Sequence, residues 1–373
     1  MKRLLLLGAG HAHVAVLAAL AQQRIATAEV LLVTPHERQI YSGMVPGLIA
    51  GRYRSDECSI AVAPLAAAAG VPWLRAQAVA VDAAARQVTL ADGRKLDYDV
   101  LSLNTGPTQD RDRIPGARAH ALFVRPIEAF VQLWQRTRAL ADVEPLDVVM
   151  VGNGAAGVEL ALAVSHALAG RCHVTLLCDG PLLAQYTDAV RERALRVLAQ
   201  RGVVVLPGRC SAIQAEHVEL EAGTQVACDV PIVATGADAP AWLAGSGLAL
   251  DSAGFVRVGA TLQSASHPAV FAAGDITQRD DAPHPRSGVY AVRAGPPLAV
   301  NLRRFVGGGA LVTYVPQRRA LNLMACGDGS AIASWGAWSA QGRLMGWWKD
   351  RIDRAFVARY SVAPGPGPGS PQA

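Results

Sequence analysis

Residues 4–20, LLLLGAGHAHVAVLAAL, align without a gap over residues 148–164, VVMVGNGAAGVELALAV, 144 positions later. In each copy four apolar residues lead into Gly-x-Gly, three residues follow, and an apolar, helix-like run begins at Val14 or Val158. A second apolar strand returns at the same distance in both copies, VLLVT at 30–34 and VTLLC at 174–178. A strand, a glycine turn, a helix and a strand open a dinucleotide-binding unit. The turn glycines let the backbone approach a pyrophosphate, which then sits on free amide groups at the positive end of the helix. One such turn is a weak signal; two in register argue against glycine turns that hold nothing. The third glycine of the pattern is present as Gly157 but is replaced by His13 in the first copy, where it is expected to tighten nothing.

A second repeat lies further on. YDVLSLNTG (98–106) echoes CDVPIVATG (228–236), with Asp99 over Asp229, Thr105 over Thr235 and Gly106 over Gly236. Hairpin material precedes each, VTLADGRKL with its Asp-Gly turn and the alternating HVELEAGTQVACD. The fold class is therefore α/β, with two Rossmann-like dinucleotide-binding domains. After the second copy, VFAAGD ends at Gly274-Asp275, and SGVYAVRAGPPLAVNLRRF (287–305) reads as a helix that Pro296-Pro297 should break or kink. Residues 306–360 read as three strands (ALVTYVP, ALNLMAC, AIASWGAW) and a last helix at 344–359. Residues 361–373 read as a flexible, Pro/Gly-rich tail.

Composition removes other classes. Hydrophobic residues make up 51% and charged residues 17%, too apolar for disorder. Nine Arg/Lys against three Asp give the stretch 303–359 a charge of +6, but no basic run tracks a phosphate backbone, so no nucleic-acid partner is expected. Six scattered cysteines carry no C-x-x-C and no zinc spacing. They read as reduced thiols of a cytoplasmic protein. The start MKRLLLLGAG imitates a secretory leader, but Gly8, Gly10, His11 and His13 interrupt its apolar run and no cleavage site follows. No apolar run reaches the roughly 18 residues of a membrane span. His11 and His13 lack a third ligand nearby, so no metal is expected.

The acid expected after the second strand, which grips a ribose hydroxyl, is replaced by Thr34 in the first copy, with Glu37 close behind. In the second copy Asp179 follows Cys178, and no Arg or Lys follows in CDGPLL, which favours NADH over NADPH.

The order Gly-x-Gly near the start, Thr105-Gly106, G-x-G-x-x-G-x-E at 152–159, Ala-Thr-Gly at 234–236 and Thr261…Phe271-Ala-Ala-Gly-Asp275 resembles the two-dinucleotide-fold flavoproteins of the pyridine nucleotide-disulfide oxidoreductase superfamily. The resemblance covers residues 1 to about 305. It implies FAD on the first unit and NAD(P)H on the second, with an FAD domain from 1–112 and 253–305 and the NAD(P)H domain, 113–252, inserted in it. The residues it assigns to FAD are Gly8, Gly10, His11, Ala12, Thr34, Pro35, Gly43, Thr105, Gly106, Gly274, Asp275, Tyr290 and Ala291. Those for NAD(P)H are Gly152, Gly154, Ala155, Gly157, Asp179, Thr235 and Gly236.

Disulfide reductases of this superfamily carry a reactive cysteine pair about thirty residues after the first glycines; here that stretch holds only Cys58. The chain looks like the type II NADH dehydrogenases. It is also similar to the flavoprotein module fused ahead of selenide, water dikinase, through GAGHAHV (8–14), YSGMVPGLIAGRY (41–53), GVYAVRAGPPLAVNL (288–302) and WWKDRIDRAFVARY (347–360). The resemblance implies hydride transfer from NAD(P)H to FAD and on to a quinone-like acceptor. Glu159 is expected at the nicotinamide side; its plainer reading is a helix-dipole partner in the first turn. Lys349 is a cation for a reduced flavin or quinone oxygen, or a snorkelling helix lysine.

Two alternatives stay open: a reductase of sulfur or selenium species using Cys326, and a low-turnover nucleotide sensor. Trp335, Trp338, Trp347 and Trp348 beside basic residues suit a membrane interface at 335–360, and a packed helix or a homodimer contact suits them equally. The expected location is the cytoplasm or the inner face of the cell membrane. On the last helix Leu344, Trp348, Ile352, Phe356 and Arg359 fall on one face.

Overall fold

The computed structural model describes residues 1–362, so residues 363–373 of the expected tail lie outside the described residues. Strands β1 (Lys2–Leu7), β2 (Ala28–Val33), β3 (Trp73–Leu74) and β4 (Val100–Leu103) lie parallel in one sheet. Strands β5 (Leu122–Phe123), β6 (Leu146–Val151), β7 (Cys172–Cys178), β8 (Val204–Pro207) and β9 (Val230–Val233) form a second parallel sheet. The first sheet is completed by β10 (Val270–Ala272) beside β4. The orders are β10-β4-β1-β2-β3 and β5-β9-β6-β7-β8. The sequence repeat is thus a repeat of topology over four strands, β4-β1-β2-β3 and β9-β6-β7-β8, while the edge strand comes last in the first unit and first in the second.

The central strands are buried on both faces, which is why they read as unbroken apolar runs: Leu4 to Leu7 and Val148 to Met150 are each 3% exposed or less. Helix α1 (His11–Gln22) follows the first glycine turn and α2 (Ala155–Ala167) the second. The matched aspartates do the same work in both copies. The Asp99 carboxylate accepts the Arg3 N–H at 2.7 Å, and the Asp229 carboxylate accepts the Asp147 N–H at 2.7 Å. Each ties the strand that ends in Thr-Gly to the start of the strand that carries the glycine turn.

Helix α3 (Gly288–Gly307) runs unbroken through Pro296 and Pro297, against the expected break. Its packing overrides the local cost: Gly295 lies so close to α1 that a Cβ there would meet the Ala15 Cβ at 2.6 Å. The expected strand ALVTYVP is instead irregular. Its backbone bonds go elsewhere, because the buried Asn301 side chain donates to Val312 O and accepts from Val312 N, and Tyr314 N–H bonds Ala260 O. Strands β11 (Asn322–Ala325), β12 (Ala331–Trp335) and β13 (Trp338–Gly342) form an antiparallel sheet that leads directly into α4 (Arg343–Tyr360).

The expected apolar face of α4 is corrected. Leu344 and Ile352 are 67% and 41% exposed, while Gly346, Asp353, Phe356, Val357 and Tyr360 are buried. Gly346 sets this orientation: a Cβ there would meet Gly329 O at 1.8 Å.

Candidate functional site

The strand orders place both glycine turns at the carboxyl ends of their sheets. At the first, Gly8 has φ +84°, and a Cβ on it would meet Asn104 O at 2.5 Å; a Cβ on Gly10 would meet the same oxygen and Asn104 Oδ1 at 2.5 Å. Asn104 organises this turn. Its Oδ1 accepts the Ala12 and His13 N–H groups at 3.0 and 3.1 Å, and its Nδ2 donates to Ala273 O at 2.7 Å. The first-turn amides of α1 are therefore partly satisfied already. This corrects the candidate Ala12: it is fully buried and its amide is taken, which leaves the amide of His11 to face an anion. Asn104 stands where the second repeat has Ala234, and that mismatch is the signal by which the sequence could have shown it.

His13 does tighten the turn, contrary to expectation. Its Nδ1 lies 2.6 Å from Gly8 O and its Nε2 2.8 Å from Ser102 Oγ. In the second copy Gly157 lets the helix come against the turn itself, since a Cβ there would meet Gly152 O at 2.0 Å. The imidazole replaces close approach with hydrogen bonds. Burial lowers its pKa to about 4, so the ring is neutral and neither nitrogen is left for a metal.

One cavity of about 930 Å³ extends from this turn, at the upper end of the roughly 300–1,000 Å³ typical of ligand pockets. Of the FAD candidates, Gly8, Gly10, His11, Thr34, Pro35, Thr105, Gly106, Asp275 and Ala291 line it. Gly274 and Tyr290 sit behind Asp275 in a smaller cavity, and Gly43 lies in another. Burial raises the Asp275 carboxyl above the usual range, with Arg125, 3.5 Å away, pulling it back down. Arg125 also lines the main cavity and was not found from sequence. His11 reaches Ser42 Oγ at 3.3 Å and stacks on Phe356 of α4, and burial lowers its pKa to about 4 with help from Arg125. Thr34 is 2% exposed, and Glu37 behind it is paired with Arg75. The lining fits an extended dinucleotide: a glycine cradle, a buried hydroxyl at the ribose position and a buried carboxyl near the start of α3.

The second turn is more open. Gly154 is exposed, with nothing within 4 Å of a Cβ, and α2 has no side-chain cap, so its first amides are available to a phosphate. Asn153 closes the far side through Nδ2 donation to Asp179 O and Pro181 O. Ala155 opens α2, Thr235 is half-buried, and Gly236 and Asp179 are exposed. Asp179 does meet a cation, Arg209 at 3.8 Å, from a turn thirty residues later. The argument against NADPH from CDGPLL alone is weakened by that contact.

Glu159 and Lys349 come together where the two units meet the C-terminal sheet. Glu159 is the fifth residue of α2, beyond the first turn, so the helix-dipole reading loses its basis. Its Oε1 accepts the Ala325 N–H at 2.7 Å. Lys349 does not snorkel: its side chain is 13% exposed and Nζ donates to Gly43 O at 2.7 Å and Asp353 Oδ2 at 2.8 Å. Burial raises Glu159 to about 7; Lys349 and the Ala325 amide oppose the rise and Asp353 adds to it. Asp353 was not found from sequence.

A raised carboxyl value has a testable sign. The unfolded value is 4.5 and the folded one about 7, so the folded state binds the extra proton between them. The stability this group contributes is complete below pH 4.5 and is lost as pH rises through about 7. Thermal melts across that window should fall more steeply for the wild-type chain than for Glu159→Gln. Parallel profiles would show that Glu159 is not the titrating group.

Two parallel sheets that share the order of four strands, each ending in a glycine turn, with a cavity of about 930 Å³ at the first turn, define a protein of the two-dinucleotide-fold class. The chain belongs to the pyridine nucleotide-disulphide oxidoreductase family, whose model matches residues 2–295. It is 26% identical over 265 residues to the demethylphylloquinone reductase of Synechocystis sp., covering 68% of this chain and 66% of that one. It is 27% identical over 294 residues to an alternative NAD(P)H-ubiquinone oxidoreductase of Arabidopsis thaliana, covering 68% and 56%. The chain thus matches somewhat less than two thirds of the length of these relatives. In fold it is similar to the sulfide:quinone oxidoreductase of Aquifex aeolicus, with a TM-score of 0.79 at 18% identity, covering 98% and 93% of the two chains. It is also similar to NDH2 of Plasmodium falciparum in complex with NADH, with a TM-score of 0.78 at 13% identity, covering 96% and 97%.

Proposed function

We propose that the chain is an FAD-dependent oxidoreductase that takes a hydride from NAD(P)H and passes electrons to a quinone-like acceptor. One observation carries this reading: the first glycine turn opens into a cavity of dinucleotide size, and α4, whose Phe356 stacks on the cavity-lining His11, also brings Lys349 to Glu159 of the second unit. FAD would be held by the cradle of Gly8 and Gly10, by Thr34, and by Asp275 with Arg125. NAD(P)H would be held by the uncapped start of α2 and by Asp179. When bound, the flavin supplies hydride acceptance and electron release, which no side chain here can perform. The chain's own part is positioning and charge. Lys349 places a buried cation where negative charge gathers on an acceptor oxygen, and Glu159, titrating near neutrality, holds or releases a proton beside it.

The names of the two curated relatives, both reductases of a quinone, support the acceptor class. Purified protein should oxidise NADH or NADPH with a soluble quinone in multiple turnovers; absence of that turnover defeats the acceptor assignment. The sulfur or selenium reading, which would use Cys326, has less support. Cys326 is fully buried, burial pushes its thiol up to about 12, and no second cysteine is bonded to it. The sensor reading rested on His13 and Thr34, and His13 proves to be a working part of the turn.

The membrane reading gains from the same exposure that corrected the face of α4. Trp335, Trp338, Trp347 and Leu344 are 56%, 47%, 58% and 67% exposed, with Arg343 and Arg351 beside them on the helix. Among the described residues no helix is long and apolar enough to cross a membrane. We infer that this face lies on a lipid surface. Co-sedimentation with anionic vesicles that survives Trp347→Glu and Leu344→Glu would dismiss it.

A further inference from the structure

Reduction of a quinone-like acceptor by NAD(P)H needs one proton that the hydride does not bring. The donor gives up two electrons and one proton; the acceptor becomes a quinol by taking two electrons and two protons, so two O–H bonds form and one proton comes from solvent. Lys349 is buried against Gly43 and Asp353, and that proton needs a way in. Beside it lies a small cavity of about 20 Å³, lined among others by Gly43, Arg52, Tyr53, Gly329, Ser330 and Lys349. A site needs roughly 10–15 Å³ and two to four polar partners to hold a water. Lys349 has three donors; Gly43 O and Asp353 take two, and the third has no protein acceptor among the described residues. On the other wall the Tyr53 hydroxyl donates to Asp350 Oδ1 at 2.7 Å. Asp350 reaches the surface: its side chain is 29% exposed and shares Arg354 with Glu57.

We propose that Asp350, the Tyr53 hydroxyl and one water in this cavity form the route by which the solvent proton reaches Lys349. The proposal rests on the quinone-like reading of the acceptor. In a forward step Asp350 takes a proton from solvent and passes it to the Tyr53 oxygen as the Tyr53 O–H proton moves to the water. The water passes a proton to Lys349 as Lys349 gives one to the acceptor oxygen. No charge is left behind and no group is oxidised along the route. Tyr53 is a positioning residue acting through Lys349. Arg52, Arg354, Glu57 and Asp353 are the other charged groups around it.

The test compares two acceptors with NADH as donor: a soluble quinone, which consumes the proton, and ferricyanide, which takes electrons alone. Tyr53→Phe keeps the ring that packs on Gly47 and under Arg354. It should lower the quinone-to-ferricyanide rate ratio about tenfold, less than the roughly 10²–10⁴-fold of a group that passes the proton directly, because Tyr53 acts through Lys349. Asp350→Asn should shift the same ratio in the same direction, and stands in if the first variant does not fold. A crystal structure of the wild-type protein should hold a water within hydrogen-bond reach of both Tyr53 Oη and Lys349 Nζ, and the Phe variant should not. An unchanged ratio, or a cavity without that water, overturns the route. A wild-type protein that reduces ferricyanide but no quinone fails in a different place: it removes the acceptor reading, and this route with it.

Discussion

A Gly8→Val protein should purify colourless. Two costs fall on one position. The backbone there has φ +84°, which an L side chain adopts at a cost of about 1–2 kcal/mol. The Cβ would also stand 2.5 Å from Asn104 O and 2.6 Å from Thr105 Cα, both backbone atoms of β4's end. Neither can move aside, because Asn104 is tied to Leu7 O, to two amides of α1 and to Ala273 O. The turn must open, and the opening falls into the cavity that would hold the flavin. Gly93→Ala is the control. It shares φ +84° but sits in a hairpin turn with nothing within 4 Å, so it should lose about 1 kcal/mol of stability and no flavin. Flavin absorbance per protein and thermal melts of both variants decide it. A fully yellow Gly8→Val protein would mean that the cofactor does not lie on this turn.

The second large effect is expected at Lys349. Lys349→Met leaves Asp353, 6% exposed, without its cation and Gly43 O without its donor. Removing one partner of a buried pair costs about 3–5 kcal/mol, whereas replacing both with apolar groups is often neutral. The lower end applies here, because burial already raises the Asp353 carboxyl and it can protonate instead. Lys349→Met should therefore lose about 3 kcal/mol, and Lys349→Met with Asp353→Leu should recover most of it. Quinone turnover should stay low in both, since the cation is absent from both. Denaturant midpoints and turnover numbers separate the two roles. Equal stability loss in single and double variants would remove the pair as the cause, and quinone turnover restored in the double variant would remove Lys349 from the reaction.

The two nucleotide units were legible because the turn leaves a mark in sequence that little else produces: an apolar strand, glycines where the backbone has no room, and an apolar helix. Asp99 and Asp229 were legible as a repeated pair before their shared bond to the first strand was seen. What stayed hidden depends on contacts between distant segments. Asn104 reaches Ala273, 169 residues away, and Glu159 reaches Ala325, 166 away. Neither partner is a side chain, so neither leaves a residue type to recognise. Arg125 at Asp275 and Arg209 at Asp179 are cations delivered by loops remote in sequence, and a local reading of CDGPLL had no means to include the second. The face of α4 was misread for a related reason. Hydrophobicity placed Leu344, Trp348 and Ile352 with Phe356, but Gly346, by fitting against the Gly329 carbonyl, rotates the helix so that Asp353 is buried and the tryptophans are not. The two prolines of α3 failed as breakers because Gly295 binds that helix closely to α1.

The most direct test of the whole account is the visible spectrum of the purified protein, followed by addition of NADH, and then NADPH, without oxygen. A yellow protein that bleaches on addition is the predicted result, because it requires a flavin in the first unit and a nicotinamide that reaches it from the second. A yellow protein that neither nucleotide bleaches would contradict the joining of the two sites at Glu159 and Lys349, and a colourless protein that cannot be loaded with FAD would contradict the assignment of the first turn itself.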